Sequence, residues 1–126
     1  MKDTVTAKAN ITVELRKEDI DDILFSAFNA GGISGWADRI TIDGERLGEK
    51  LFEQVGLGGE VFIHDFIGSR THELTCGKIK RGFELYLEEG CHVHIEDGHI
   101  VPGDITMNDA DVIVQFALFG EVKYPL

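Results

Sequence analysis

The chain is poor in several residue types, and each shortage removes a class of function. It has only two prolines, one tryptophan and two cysteines in 126 residues. The two cysteines, Cys76 and Cys91, form neither a zinc-ligand pair nor a disulfide framework, so both are read as reduced thiols. No stretch approaches the roughly 18 to 20 consecutive apolar residues of a membrane-spanning helix. The polar start, MKDTVTAKAN, has no apolar signal-peptide region. Cations are scarce as well: 12 Lys plus Arg stand against 23 Asp plus Glu, a net charge of −11 at pH 7. Neutralising nucleic-acid phosphates needs a basic face, so the balance argues against direct nucleic-acid binding. It also disfavours anionic membrane surfaces. The expectation is a cytoplasmic protein with no membrane association.

What is present is ordinary for a folded chain. Hydrophobic residues make up 43% and charged residues 28%, which excludes wholesale disorder. The length implies one domain over residues 1–126, with 1–9 read as a flexible N-terminal segment. The charge is unevenly spread. Residues 1–81 hold 14 acidic and 11 basic side chains, whereas 82–126 hold nine acidic residues and only Lys123, a net of −8. Such a block steers a basic partner inward, although solubility alone also accounts for it.

Periodicity sketches the elements. Asn10 to Leu15 alternates Ile11, Val13 and Leu15 with polar neighbours, the pattern of a half-buried strand. From Glu18 to Ala30, Ile20, Ile23, Leu24, Ala27 and Phe28 form one helical stripe, stopped by Gly31 and Gly32. Trp36 to Asp43 reads as a strand and Leu47 to Val55 as a short helix closed by Gly56, Gly58 and Gly59. Glu60 to Ile67 and Arg70 to Thr75 form a hairpin across Gly68-Ser69. Thr75 caps a helix that runs to Gly90, and Thr106 or Asn108 opens another that stops at Gly120. Cys91 to Pro102 is a small hairpin turning at Asp97-Gly98 or an irregular loop, and Glu121 to Tyr124 a last strand. The sum is a single α+β domain, with a mainly antiparallel sheet of about four to five strands packed with about four helices.

Few constellations carry chemistry. His92, His94 and His99 are the best metal candidate: on a strand His92 and His94 share a face, a turn at Asp97-Gly98 returns His99, and three imidazoles suffice for a catalytic zinc site. The competing reading, exposed histidines on a polar strand face, is preferred. Cys76 shares a strand face with His72 two alternations away, roughly 13 Å along the strand, too far for a nucleophile and its base. The glycine groups follow helices, so they present no helix N-terminus to a phosphate, and no Walker Lys is present. Trp36, the lone tryptophan, is either an aromatic anchor at a loop mouth or core filler, with core filler preferred.

The runs EDIDDILFSAFNAGGISGW and DADVIVQFALFGEVKY resemble a family of small uncharacterised proteins encoded by phages, prophages and mobile elements of Firmicutes. The likeness rests on Glu18 to Ile23, on Ala27, Gly31, Gly32 and Trp36, and most specifically on Ile113 to Glu121. It spans about residues 11–124. Gly35 departs from the aromatic that normally precedes the tryptophan, and the three histidines depart from the usual loop between the helices. The resemblance implies a bacterial host cell and a chain that acts by occupying a host or defence protein. On this reading it is no enzyme and takes no cofactor. An acidic surface around Glu84, Glu88, Asp104, Asp109 and Asp111 would engage a basic protein site, as an anti-CRISPR or DNA-mimic type inhibitor does. Two alternatives stand beside it: a metal-binding module or small metal-dependent enzyme using the histidine cluster, and a structural or assembly component, dimeric through an exposed sheet edge.

Overall fold

The computed structural model describes residues 3–6, 12–89, 95–101 and 103–125. The element order is β1 (Asp3–Thr6), β2 (Thr12–Leu15), α1 (Lys17–Leu24), β3 (Ala37–Thr41), β4 (Val61–Asp65), β5 (Arg70–Leu74), α2 (Cys76–Glu88), β6 (Ile95–Glu96), β7 (His99–Ile100) and α3 (Met107–Phe119). The strands form two sheets, one ordered β1-β2-β7-β6 and one ordered β3-β4-β5. All pairings are antiparallel except β2 with β7, which run parallel through Glu14 opposite His99. The α+β class and the mainly antiparallel pairing match the sequence reading. The strands number seven in two sheets, and the long helices three, among the described residues.

The differences have local causes. Residues 3–6, expected in a flexible segment, pair with β2 from Asp3 opposite Leu15 to Thr6 opposite Thr12. The first helical stripe holds, but after Leu24 the turn widens to a π-helix over Phe25–Asn29. The helix expected over 47–55 contracts to a 3₁₀ turn at Leu51–Glu53. There the Gln54 side chain, instead of a helical ladder, ties the loop: its Oε1 accepts from Leu47 N and its Nε2 donates to the Glu45 carbonyl. The strand expected at Glu121 to Tyr124 does not form, because the Tyr124 backbone is paired with the Gln115 side chain.

Helix ends follow the expected chemistry. Thr75 Oγ1 accepts from Lys78 N at the start of α2. At α3, Thr106 Oγ1 accepts from Asp109 N while the Asp109 carboxylate accepts from Thr106 N, a reciprocal capping box. Lys17 clamps the start of α1 to the 3₁₀ turn, reaching Asp21 at 2.5 Å and Glu53 at 3.2 Å.

The core joins both sheets to the helices through Val13, Leu15, Ile20, Ile23, Ile63, Leu74, Ile79, Phe83 and Ile113, each no more than 1% exposed. Helices α2 and α3 pack closely, and Gly82 sets their separation. A Cβ there would stand 2.5 Å from the Ile113 carbonyl oxygen, so only glycine allows this approach. The pair presents the C-terminal half of α3 to β5 and to the chain's last residues, which is where the polar centre of the molecule lies.

Candidate functional site

The five acidic residues expected on one surface divide in two. Glu88 is exposed on the outer side of α2, and the half-buried Glu84 pairs with Arg81 on the same helix. Asp104, half-buried, precedes α3. Asp109 and Asp111, each 4% exposed, are not surface residues. That part of the expectation is corrected by the turn of α3: both side chains face inward, where polar donors meet them. Asp109 Oδ1 accepts from the Tyr86 hydroxyl at 2.7 Å, fastening α3 to α2. Asp111 Oδ1 accepts from the Trp36 indole Nε1 at 2.8 Å and from Gln115 Nε2 at 3.0 Å.

Trp36 is 1% exposed, so it is part of the core and not an anchor open at a loop mouth. Of the histidine cluster, His92 and His94 lie outside the described residues. His99 sits on β7 with Nδ1 3.5 Å from Glu14 Oε1, beside a cleft of about 210 Å³ lined by Arg16, Glu96, Asp97, Ile100 and Val101. Among the described residues, no three His, Cys, Asp or Glu side chains are grouped to hold a metal ion. Cys76 opens α2 instead of extending β5, and His72 turns to a different partner.

That partner is Asp65, which the sequence reading passed over and which is fully buried at the end of β4. Its Oδ1 accepts from the backbone N–H of Ile67 (3.0 Å) and of Gly68 (2.8 Å), closing the hairpin turn. Its Oδ2 accepts from the Tyr124 hydroxyl at 2.5 Å and faces His72 Nε2 at 3.3 Å. Tyr124 stacks on Trp36 with ring centroids 5.6 Å apart, and Phe119 meets the rings of Trp36, His72 and Tyr124 edge-on. Gln115 completes the centre. Its Oε1 accepts from Tyr124 N and its Nε2 donates to the Tyr124 carbonyl.

Electrostatics differ across this small volume. Burial pushes the Asp65 carboxyl up, but the Gly68 N–H, the Tyr124 hydroxyl, His72 and the Ile67 N–H together hold it below its ordinary value. Burial raises Asp111, and its bonds to Trp36 and Gln115 do not offset that rise. The Tyr124 hydroxyl is raised by its bond to the Asp65 carboxylate, by burial and by the nearby negative charge. The arrangement holds the chain end against the sheet. His72 packs edge-on against Phe119, with ring centroids 4.9 Å apart.

Weak signals for these residues do exist in the sequence. Gln115 interrupts the apolar run Val112-Ile113-Val114-Gln115-Phe116, where a polar side chain must find partners. Asp65 precedes a turn, a position where Asp bonds the backbone two residues on. Comparison with protein-family models, with curated proteins and with solved structures finds no match to this chain.

Proposed function

We propose that this chain is a non-enzymatic interaction protein of mobile-element type that engages a basic surface on a host or defence protein. The carrying observation is the C-terminal end of α2. Glu88 and Glu89 are exposed there, and the last turn of the helix carries no cation. Carbonyl groups at a helix C-terminus already bear partial negative charge, so carboxylates at this pole cost a few tenths of a kcal/mol where a lysine would add stability. Stability alone does not favour that arrangement, whereas association with a cationic partner would.

The rest of the acidic block supports the reading in a reduced form. With Asp109 and Asp111 used internally, the interaction surface is carried by Glu88 and Glu89, with Glu84 and Asp104 contributing from half-buried positions. The nucleic-acid channel of a defence nuclease is a fitting target, since it is lined with cations that ordinarily meet phosphates. This makes inhibition by charge mimicry the mechanism to test.

Purified candidate nucleases provide the test. Affinity measured at about 50 mM and about 500 mM salt is expected to fall at least tenfold with added salt. Glu88→Lys with Glu89→Lys is expected to weaken binding by a similar factor. Binding indifferent to both salt and charge reversal overturns the electrostatic reading. The metal-binding alternative is separated by elemental analysis together with melting before and after a chelator, since a structural metal stabilises the fold it binds.

A further inference from the structure

Residues 120–125 bury a single side chain against the body of the protein, and the exposed Lys123 adds only its ammonium over the Phe119 ring, 5.2 Å from the centroid. Gly120, Glu121, Val122, Lys123 and Pro125 are exposed, and only Tyr124 is buried, at 8% exposure. The segment adds no strand to either sheet. Its Tyr124 backbone meets a side chain, the two-point carboxamide of Gln115, at 2.8 and 3.1 Å. It leaves α3 through Gly120, whose φ of +75° breaks the helix and gives a natural pivot.

The slot that receives Tyr124 is assembled by other parts of the molecule. Trp36 forms one wall and Phe119 an edge. Asp65 stands at the far end, where its Oδ1 is fixed by two turn N–H groups and its Oδ2 still faces His72. The polar end of the slot is therefore organised without the tyrosine.

We propose that this slot between α3 and the β4–β5 hairpin is a binding site for an extended peptide segment carrying a tyrosine, and that residues 120–125 are its intramolecular occupant. The occupant shows what the ligand requires. An aromatic ring must stack on Trp36, a hydroxyl must reach the Asp65 carboxylate, and the same residue's backbone N–H and C=O must pair with Gln115. Phenylalanine meets the first and third demands but not the second, and a site built to accept a hydroxyl hydrogen bond discriminates strongly against an analogue that lacks it. Displacement of residues 120–125 by a competing segment is the event that opens the site. This inference is independent of the acidic face of α2.

The test uses the full chain carrying Tyr124→Ala, with the blocked peptide of residues 120–125, Gly-Glu-Val-Lys-Tyr-Pro, as probe. Trp36 is the only tryptophan, so its fluorescence reports the slot directly. Added peptide is expected to restore the wild-type emission and raise the melting temperature of the variant. The same peptide with phenylalanine in place of tyrosine is expected to bind at least about tenfold more weakly. The unsubstituted chain is expected to respond at least about tenfold less, because its own segment competes at high effective concentration. A folded Tyr124→Ala chain that ignores the peptide, or one that binds both peptides equally, overturns the proposal. If that variant does not fold, hydrogen exchange on the unsubstituted chain decides. The Tyr124 amide is expected to exchange at least about a hundredfold faster than those of Ile63 and Ile113, through local opening. Equal rates mean that the segment leaves only on global unfolding, and the proposal fails.

Discussion

Asp65 and Asp111 lie in one aromatic cluster, both withdrawn from water, yet their carboxyl groups shift in opposite directions. Loss of solvent contact alone does not explain this, since both side chains are buried. Burial weighs more heavily on Asp111, and the donors that oppose it are fewer there than at Asp65. Asp65 receives two backbone N–H groups already aimed by the hairpin turn, a tyrosine hydroxyl and an imidazole. Asp111 receives the indole N–H and one carboxamide N–H, both at the same oxygen. A buried carboxylate is thus held as an anion where the backbone replaces its water, and strained toward the neutral form where a few side chains try to do so.

The sharpest way to break this comparison is Asp65→Asn. The amide turns an N–H₂ toward groups that donate and removes the charge that they stabilise. The expected loss is about 3 kcal/mol, the range for breaking a buried, charge-assisted network, read from the urea midpoint. The pH dependence has a defined sign. A lowered native pKa gives stability that is present above the unfolded value, about 3.9, and is lost as pH falls through the native one. The substitution should remove that acid limb. A variant as stable as the parent, with the limb intact, would show that the donors around Asp65 contribute nothing net.

Tyr124→Phe tests one donor in isolation. The ring still stacks on Trp36, so the expected cost is about 1.5 to 2 kcal/mol for a single hydrogen bond to a charged group, with Trp36 emission unchanged. A large change in emission would mean that the hydroxyl positions the ring, and the two contributions are then inseparable.

Much of the scaffold around these carboxylates was legible in the sequence. The cap at Thr75, the Gly120 stop and the β4–β5 hairpin all follow from local chemistry that a few neighbouring residues decide, and the same chemistry narrows the cap of α3 to Thr106 or Asn108. The site was not legible for a different reason. Asp109 and Asp111 look like solvated charge, because inward and outward positions on α3 cannot be told apart when the helix is apolar on nearly every side. The partners that draw them in are distant in the chain: Tyr86 for Asp109, and Trp36, 75 residues away, for Asp111. Tyr124 looked like part of a strand because its neighbours alternate. Only the placement of Gln115 beneath it shows that its backbone is paired elsewhere.

Asp111→Asn sharpens the comparison from the other side. Its amide oxygen still accepts from Trp36 and Gln115, and the penalty of a buried charge disappears. Stability at neutral pH is therefore expected within about 1 kcal/mol of the parent. Because the native pKa of Asp111 is raised, the parent is stabilised as pH falls from neutral toward the usual carboxylate range, and the variant should lack that gain. A loss as large as that of Asp65→Asn would mean that the anion at Asp111 is required, and the contrast would collapse.

Glu88 and Glu89 supply the third and smallest point of the series, carboxylates with neither burial nor organised donors. With water as their solvent, nothing in the fold depends on their charge, and the α2 dipole opposes it. Replacing both by lysine should raise stability by about 0.3 to 1 kcal/mol, an effect screened by salt. The same change should weaken binding to a cationic partner at least tenfold. A gain in stability accompanied by a loss of binding identifies a charge retained for association. A loss of both would instead place these side chains with Asp65, as anions that the fold itself requires.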